Sequence, residues 1–375
     1  MAVKKVRLYN FRNFSDASFN FKSGINFLYG ENGVGKTNIL EAINYAAIFR
    51  SLNSIAKNRL IKDDEKYSLI QINTDNEKID IEIRTDGLAE QRRVNGKNVS
   101  SKVIRERIFS TIYTPLIIKI IYSSAEFTRS FFDKSIQNIK DDIISVYSDY
   151  KNALMQRARI LKTFDFSKSG SDEVFEKYTT ILINKGSEIV FYRISFIERI
   201  IPLLNEIYSF LVFGKKENKK LLDIKYISRY SHEKMNKSQI AANMKECLQN
   251  VKTQELATGL NLIGPHRDKF AFFCNDSKTK EFVKIEERFS TGQIQVFCLS
   301  LVLAIAKIRT NSLDDFDNKT SVLLLDDVLS GLDKKIINNL FALLDNYPQT
   351  FITSPSAFDK SNFRTPGDLY EIPIK

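Results

Sequence analysis

Residues Gly30-Glu31-Asn32-Gly33-Val34-Gly35-Lys36-Thr37 follow the apolar run Ile25-Asn26-Phe27-Leu28-Tyr29, and Ile39, Leu40, Ile43, Ala46 and Ala47 recur after them at helical spacing. A strand that breaks on glycine and opens directly into a helix is the setting in which a G-x-x-x-x-G-K-[ST] loop folds around phosphate. Its glycines let backbone N–H groups turn toward phosphate oxygens, and the helix N-terminus adds donors and a partial positive charge. At this spacing Lys36 reaches the β/γ-phosphates of a nucleoside triphosphate, Thr37 offers its hydroxyl to Mg²⁺, and the backbone of 30–38, ending at Asn38, forms the cradle. A chance glycine-rich turn would not bring the strand and the helix with it.

Composition restricts the setting. With 375 residues, 43% hydrophobic and 27% charged, the chain reads as a globular protein large enough for one core or two lobes. No continuous apolar stretch approaches the roughly 18 residues of a membrane span, so no membrane partner is expected. The opening Met1-Ala2-Val3-Lys4-Lys5-Val6-Arg7-Leu8 alternates like a strand and lacks the apolar core of a secretion signal. Cys247, Cys274 and Cys298 show no metal spacing and leave one thiol over in any disulfide scheme, which fits a reducing cytoplasm. The formal charge of +11 is compatible with nucleic-acid binding. A chain rich in Lys, Asn and Ile raises that charge everywhere without building a patch, and charge alone leaves both readings open. The densest basic region, Arg84, Arg92, Arg93, Lys97, Lys102, Arg105 and Arg107, is either DNA-facing or a solvated hairpin; Lys215-Lys216 with Lys219-Lys220 reads as a solvated turn.

A second nucleotide signal lies near the other end. Ser321-Val322-Leu323-Leu324-Leu325-Asp326-Asp327 reads as a buried parallel strand ending in two carboxylates. Asp326 is placed to share Mg²⁺ with Thr37, and Asp327 to polarise an attacking water. Between the two signals, Ser290-Thr291-Gly292-Gln293 precedes a helix-like apolar run over 296–308. A Ser there is either a plain N-cap or, with Gly292, an anion site at a helix start. The order of phosphate loop, S-x-G-Q, Asp-Asp strand and Ser330-Gly331-Leu332-Asp333 resembles the ABC-type ATPases. That resemblance implies a homodimer with two ATP molecules sandwiched between subunits, in which Ser290, Gly292 and Gln293 complete the site of the partner.

About 250 residues separate Lys36 from Ser290, too few for a long coiled-coil arm, and no heptad repeat is sustained. Amphipathic helices are expected over 141–161, over 172–211 with a kink or break at Pro202, and over 237–254, with loops at 167–171 and 213–220. Phe191, Ile194, Ile197, Ile201 and Leu204 form a packing seam on the second. The expected division is an ATPase lobe of 1–115 and 300–375 and a helical lobe of 116–299 that carries the S-x-G-Q motif.

Leu8-Tyr9-Asn10-Phe11-Arg12-Asn13-Phe14, the loop at 30–38, Tyr113-Thr114-Pro115, Arg129-Ser130-Phe131-Phe132-Asp133, Gly264-Pro265-His266-Arg267-Asp268, the S-x-G-Q run and Leu325-Asp326-Asp327 together resemble the RecF family of DNA-repair ATPases over most of the chain. The resemblance implies an α/β, ABC-type (SMC-like) P-loop ATPase head with a second, largely helical lobe and no long coiled coil. It implies ATP with Mg²⁺, ATP-dependent dimerisation on double-stranded DNA and at gap junctions with single strands, and RecO-like and RecR-like partners that help load a recombinase. Residue by residue, Gly30, Glu31, Asn32, Gly33, Val34, Gly35, Lys36, Thr37 and Asn38 would hold nucleotide, Arg12 would reach a phosphate, and Lys36 with Asp327 would carry slow hydrolysis. Asp at 327 is one methylene shorter than the Glu of faster relatives, and Thr353 would offer the γ-phosphate a neutral donor. His266 would either sense nucleotide or be a satisfied structural histidine. The chain departs from the family pattern at Leu116-Ile117, Lys269 and Thr291, and keeps only Arg129 of an arginine-rich stretch. The alternatives are a DNA scaffold that holds ATP without turnover and a transporter-type ATPase subunit.

Overall fold

The structure, a computed structural model, describes residues 1–52, 56–86, 89–140, 142–163, 171–217, 219–232, 234–276, 279–311, 319–347, 349–355 and 368–371. The chain divides into two compact units. Unit 1 comprises Met1–Ile117, Glu206–Glu217 and Ser290–Lys375; unit 2 comprises Ile118–Asn205 and Asn218–Phe289.

In unit 1 the alternating N-terminus becomes β1 (Val3–Phe11), with Val3, Val6 and Leu8 inward and Lys5 and Arg7 outward. It pairs with β2 (Phe14–Asn20), and β3 (Ile25–Tyr29) leads through the phosphate loop into α1 (Lys36–Ile48). Next come β4 (Tyr67–Thr74), β5 (Lys78–Arg84), β6 (Gln91–Val94), β7 (Lys97–Asn98), α2 (Ser101–Arg105) and β8 (Ile108–Tyr113). Unit 2 follows with α3 (Lys119–Tyr122), α4 (Ala125–Ile139), α5 (Ile143–Thr163), α6 (Ser171–Phe213), β9 (Leu222–Ile227), α7 (Lys237–Thr258), β10 (Lys269–Asn275), β11 (Phe282–Lys284) and α8 (Ile285–Arg288). The chain returns to unit 1 at the end of α6 and again in α9 (Thr291–Asn311), β12 (Thr320–Leu325), α10 (Lys334–Leu344), β13 (Gln349–Ser354) and β14 (Asp368–Glu371).

Unit 1 holds two sheets. One is antiparallel in the order β2-β1-β4-β5-β6-β7; the other is parallel in the order β14-β3-β13-β12-β8. The parallel strands β3, β12 and β13 are buried almost throughout, as expected where both faces are covered. Helix α1 packs on β8 and β4 and buries Ile39, Leu40, Ala42, Ile43, Tyr45, Ala46 and Ala47 together with the polar Glu41 and Asn44, so it is buried around most of its circumference. Buried Gln349 ties the two sheets together: it accepts from the Val3 N–H at 2.7 Å and donates to the Val3 and Lys22 carbonyls at 2.8 and 2.7 Å.

Three sequence expectations require correction. The division at 299/300 would cut α9, which is continuous from Thr291 and packs on β8, so the S-x-G-Q motif belongs to unit 1. Residues 291–310 are also long and apolar enough to cross a membrane, with a mean hydropathy of 1.6, yet 72% of that window is buried inside the protein. It is a core helix by packing. Helix α6 does not break at Pro202. Pro202 and Glu198, whose carbonyl loses its helical partner, lie on the exposed side, so the missing bond leaves no carbonyl unpaired in the core. Asn205 adds donors to the Ile201 and Leu222 carbonyls at 2.9 and 3.0 Å and accepts from the Leu221 and Leu222 N–H groups. The expected loop at 167–171 lies outside the described residues except for Ser171, which starts α6, and the expected helix start at Asp141 lies outside them.

Unit 2 is centred on paired polar groups rather than on apolar packing alone. Arg157, 1% exposed, donates to Glu255, Thr179 and Asn261 at 2.6, 2.9 and 2.5 Å. Arg193 grips both oxygens of Asp133 at 2.8 Å and the Pro265 carbonyl at 2.7 Å. The Tyr226 and Tyr230 hydroxyls donate to Asp268 at 2.5 and 2.9 Å, and Arg129 donates to its carbonyl at 2.7 Å. Gly264 has φ +139°, and a Cβ there would lie 2.9 Å from His266 Nδ1 and overlap the Tyr150 hydroxyl. Its glycine identity therefore lets Tyr150 donate to His266 Nδ1 at 2.7 Å while Nε2 faces the Asn261 carbonyl at 3.2 Å.

That arrangement suits a neutral imidazole, and burial pushes the His266 pKa from 6.5 down to about 4. The unfolded chain takes up this proton more readily than the folded one. The stabilisation is therefore complete above about pH 6.5 and is lost as pH falls toward 4, by roughly 3 kcal/mol. His266→Gln, which keeps one acceptor and one donor, should flatten this part of the pH dependence in urea midpoints measured between pH 7 and 4.

Candidate nucleotide site

The site lies at the carboxyl ends of the parallel strands, where an open α/β sheet leaves a crevice. Gly35 takes φ +110°, and a Cβ on it would fall 2.5 Å from Phe14 Cζ and 2.8 Å from Asn13 Oδ1. The loop can thus lie directly on the β1–β2 turn. Asn13 braces it by donating to the Val34 carbonyl at 3.0 Å and accepting from Asn38 at 2.9 Å. Lys36 Nζ donates to the carbonyls of Gly30 and Glu31 at 2.6 and 2.7 Å. Burial lowers its pKa, while Asp326 and Asp327 act against that shift.

Asp326, 8% exposed, ends β12 and receives hydrogen bonds from two threonines. Thr37 Oγ1 lies 2.9 and 3.1 Å from its two oxygens, and Thr353 Oγ1 donates to Oδ1 at 2.8 Å. The Thr353 hydroxyl also accepts from the Asp327 N–H at 2.8 Å, which fixes Asp327 in its left-handed conformation (φ 46°). Burial, and then the neighbouring Asp326, raises the Asp327 pKa. These groups line a cavity of about 330 Å³ together with Asn32, Gly33, Gly35, Asn38, Pro115, Ser354 and Pro355. The donor set of a threonine hydroxyl and a carboxylate suits a hard cation that takes its other ligands from phosphate and water. No cluster of three or more His, Cys, Asp or Glu able to hold a metal without substrate occurs among the described residues.

The structure does not bring every expected residue to this cavity. Arg12 (φ 53°) turns to Glu41 at 2.8 Å and to the Arg59 carbonyl at 3.0 Å, and does not line the cavity. Ser290, Gly292 and Gln293 do not line it either, although they belong to the same unit. They start α9 as a capping box: Ser290 Oγ accepts from the Gln293 N–H at 3.4 Å, and Gln293 Oε1 accepts from the Ser290 N–H at 2.9 Å. Ser290 and Gln293 are exposed, and a Cβ on Gly292 would meet nothing within 4 Å, so this helix start faces open space. Gln295 then joins α9 to the loop after β12 by donating to the Ser330 carbonyl at 2.7 Å. In the basic region, Arg84 pairs with Glu82 and Asp86, Arg92 with Glu90, and Arg107 with Glu77.

Asn13 as a brace and Thr353 as the link between the two acids were not legible as such. Neither has a spacing signal, because each acts across strands remote in sequence. Pro115 had one, since it follows a strand that pairs with β12.

The fold and site define an ABC-type, SMC-like P-loop ATPase head. A sequence profile described as the RecF/RecN/SMC N-terminal domain matches residues 2–363, and the chain belongs to this family as a RecF member. It is 29% identical over 361 residues to the DNA replication and repair protein RecF of Pediococcus pentosaceus, covering 95% of this chain and 92% of the relative. The solved recombination mediator protein RecF-ATPrS in the RecFOR pathway superposes with a TM-score of 0.82 at 26% identity, covering 98% of this chain and 95% of that one. The Smc head domain of Pyrococcus furiosus shares the fold, with a TM-score of 0.51 at 17% identity over 96% of this chain and 92% of that one.

Thr353 is 2% exposed and satisfies a backbone donor as well as Asp326. Thr353→Val, of nearly the same shape, should therefore cost about 1–3 kcal/mol in chemical denaturation. Thr37→Val, at an exposed position, should cost less than about 1 kcal/mol.

Proposed function

We propose that the chain is an ATP-dependent DNA-binding protein of recombinational repair, which dimerises on DNA around two ATP molecules and hydrolyses them slowly. RecO-like and RecR-like partners and a cytoplasmic location belong to the same reading, and the names of the related proteins support it. The observation that carries the shared site is the separation of its halves. Lys36, Thr37, Asp326 and Asp327 line one cavity, whereas the exposed α9 start with Ser290 and Gly292 does not. An open helix N-terminus binds anions, so a second subunit can supply it to the γ-phosphate.

In this mechanism the loop amides and Lys36 bind the phosphates, with the ammonium exchanging the Gly30 and Glu31 carbonyls for phosphate oxygens. Thr37 and Asp326 would hold Mg²⁺, which supplies charge neutralisation on the phosphate oxygens. Asp327 orients the attacking water and accepts its proton; its raised pKa makes it a stronger base, and its short side chain keeps turnover low. Thr353 holds both acids in register. Preferential binding of ATP to the dimer shifts the population toward it, and hydrolysis releases it.

Lys36→Arg and Asp326→Asn should abolish turnover. Ser290→Arg should prevent ATP-dependent dimerisation in light scattering while single-subunit ATP binding persists; a wild-type monomer at saturating ATP would sink the sandwich. Single-turnover phosphate release separates an ATPase from a scaffold that only holds ATP. DNA binding should weaken steeply with salt and tighten with ATP.

A further inference from the structure

The three-stranded sheet of unit 2, in the order β11-β10-β9, has one face buried and one open. Phe270, Phe272 and Cys274 of β10 and Leu222 and Ile224 of β9 point into the core. Residues directly opposed in an antiparallel pair share a face. The register Lys269↔Ile227, Ala271↔Lys225, Phe273↔Lys284 and Asn275↔Phe282 therefore places Lys225, Lys269, Lys284, Phe273, Phe282 and Ile227 together on the other face. All three lysines are exposed, Ile227 is 50% exposed, and both rings are half-buried. Lys225 Nζ stands 4.9 Å from the Phe273 ring centre, and Lys220 Nζ stands 5.4 Å from that of Phe282. Nearby acids are engaged: Asp223 by Lys220 at 2.9 Å and Asp276 by Arg288 at 3.3 Å.

Lysines standing over aromatic rings on an open sheet match the chemistry of unpaired nucleic acid. Ammonium groups take the phosphates, and the rings take bases that a duplex keeps stacked inside. We propose that this face binds single-stranded DNA, with the strand crossing β9 and β10. The exposed Glu281, Glu286 and Glu287 beyond β11 repel it from that edge. The proposal rests on the reading that the chain acts on DNA, and adds a site separate from the nucleotide cavity.

The test is fluorescence anisotropy of the full chain with labelled oligo-dT and with a hairpin duplex, with and without ATP, across a salt series. The triple variant Lys225→Glu/Lys269→Glu/Lys284→Glu should weaken oligo-dT binding at least about tenfold and reduce the salt slope by about 2. Phe273→Leu with Phe282→Leu, which preserves bulk, should weaken oligo-dT binding about tenfold, leave the salt slope unchanged and spare the duplex. Melting curves and ATP binding of the variants, matched to wild type, exclude misfolding. Oligo-dT binding by the triple variant equal to that of wild type overturns the proposal and leaves the lysines to an acidic protein surface. Equal loss of oligo-dT and duplex in the phenylalanine variant overturns the stacking role. Absence of DNA binding in the wild type itself overturns both this proposal and the DNA reading.

Discussion

Unit 1 depends on the carboxylate of Asp326. It ends β12, and β13 lies between β12 and β3 in the parallel sheet. Thr353, near the end of β13, donates to Asp326 across the neighbouring strand, and Thr37, in the first turn of α1, reaches it from beyond the loop that follows β3. Three chain segments meet at one buried acid, and their hydrogen bonds offset the cost of its burial. The remaining architecture preserves that meeting point. Gln349 fixes the opposite end of β13 to β1, and Asn13 fixes the phosphate loop to the β1–β2 turn. A loop that must close on a ligand carrying several negative charges is thus supported from behind by neutral groups, with its cationic group, Lys36, facing the cavity.

The parts of this site legible in sequence were those whose chemistry demands a fixed local spacing. A loop glycine that must approach the β1–β2 turn closely, a lysine and a threonine at a helix start, and an acid after an apolar run all belong to single elements. Asn13 and Thr353 act through strand pairing between remote segments, and neither neutral side chain marks that pairing. The helix spans were legible to within a few residues, and the break weighed at Pro202 is absent for a different reason. The rule that proline breaks a helix weighs most where the freed carbonyl is buried, and Glu198 and Pro202 lie on the exposed side of α6. In α9, Ser300 interrupts the apolar run in the sequence, but its hydroxyl donates to the Val296 carbonyl at 2.7 Å and so costs the buried helix little.

The 264–268 segment shows how a polar motif can serve as a scaffold. Gly264 admits the Tyr150 hydroxyl, Pro265 offers its carbonyl to Arg193, His266 bridges Tyr150 and Asn261, Arg267 returns to the Asn261 carbonyl at 2.9 Å, and Asp268 collects two tyrosines. Each residue type answers a particular donor or acceptor, so replacements of similar polarity would leave partners unpaired, in a buried setting at Gly264, Pro265 and Asp268. A constraint of this kind makes a motif specific without placing it at a ligand. Arg129, the remnant of the arginine-rich stretch, belongs to the same scaffold through the Asp268 carbonyl.

Charge is where sequence and structure differ most, and strand geometry explains why. Side chains two residues apart on a strand share a face. In the densest basic stretch, Glu82 precedes Arg84 by two and Glu90 precedes Arg92 by two, so the sequence supplies these two arginines with their own counter-charges. Arg84, Arg92 and Arg107 are held in ion pairs, which reduces the free field of the stretch. On the β9–β10–β11 face the relation is reversed. Lys225, Lys269 and Lys284 are scattered over 60 positions and form no cluster in sequence, yet the antiparallel register brings them to one face, where Asp223 is paired with Lys220 instead. The charge available to a polyanion is set by which acids share the face, and that becomes visible only once the register is known.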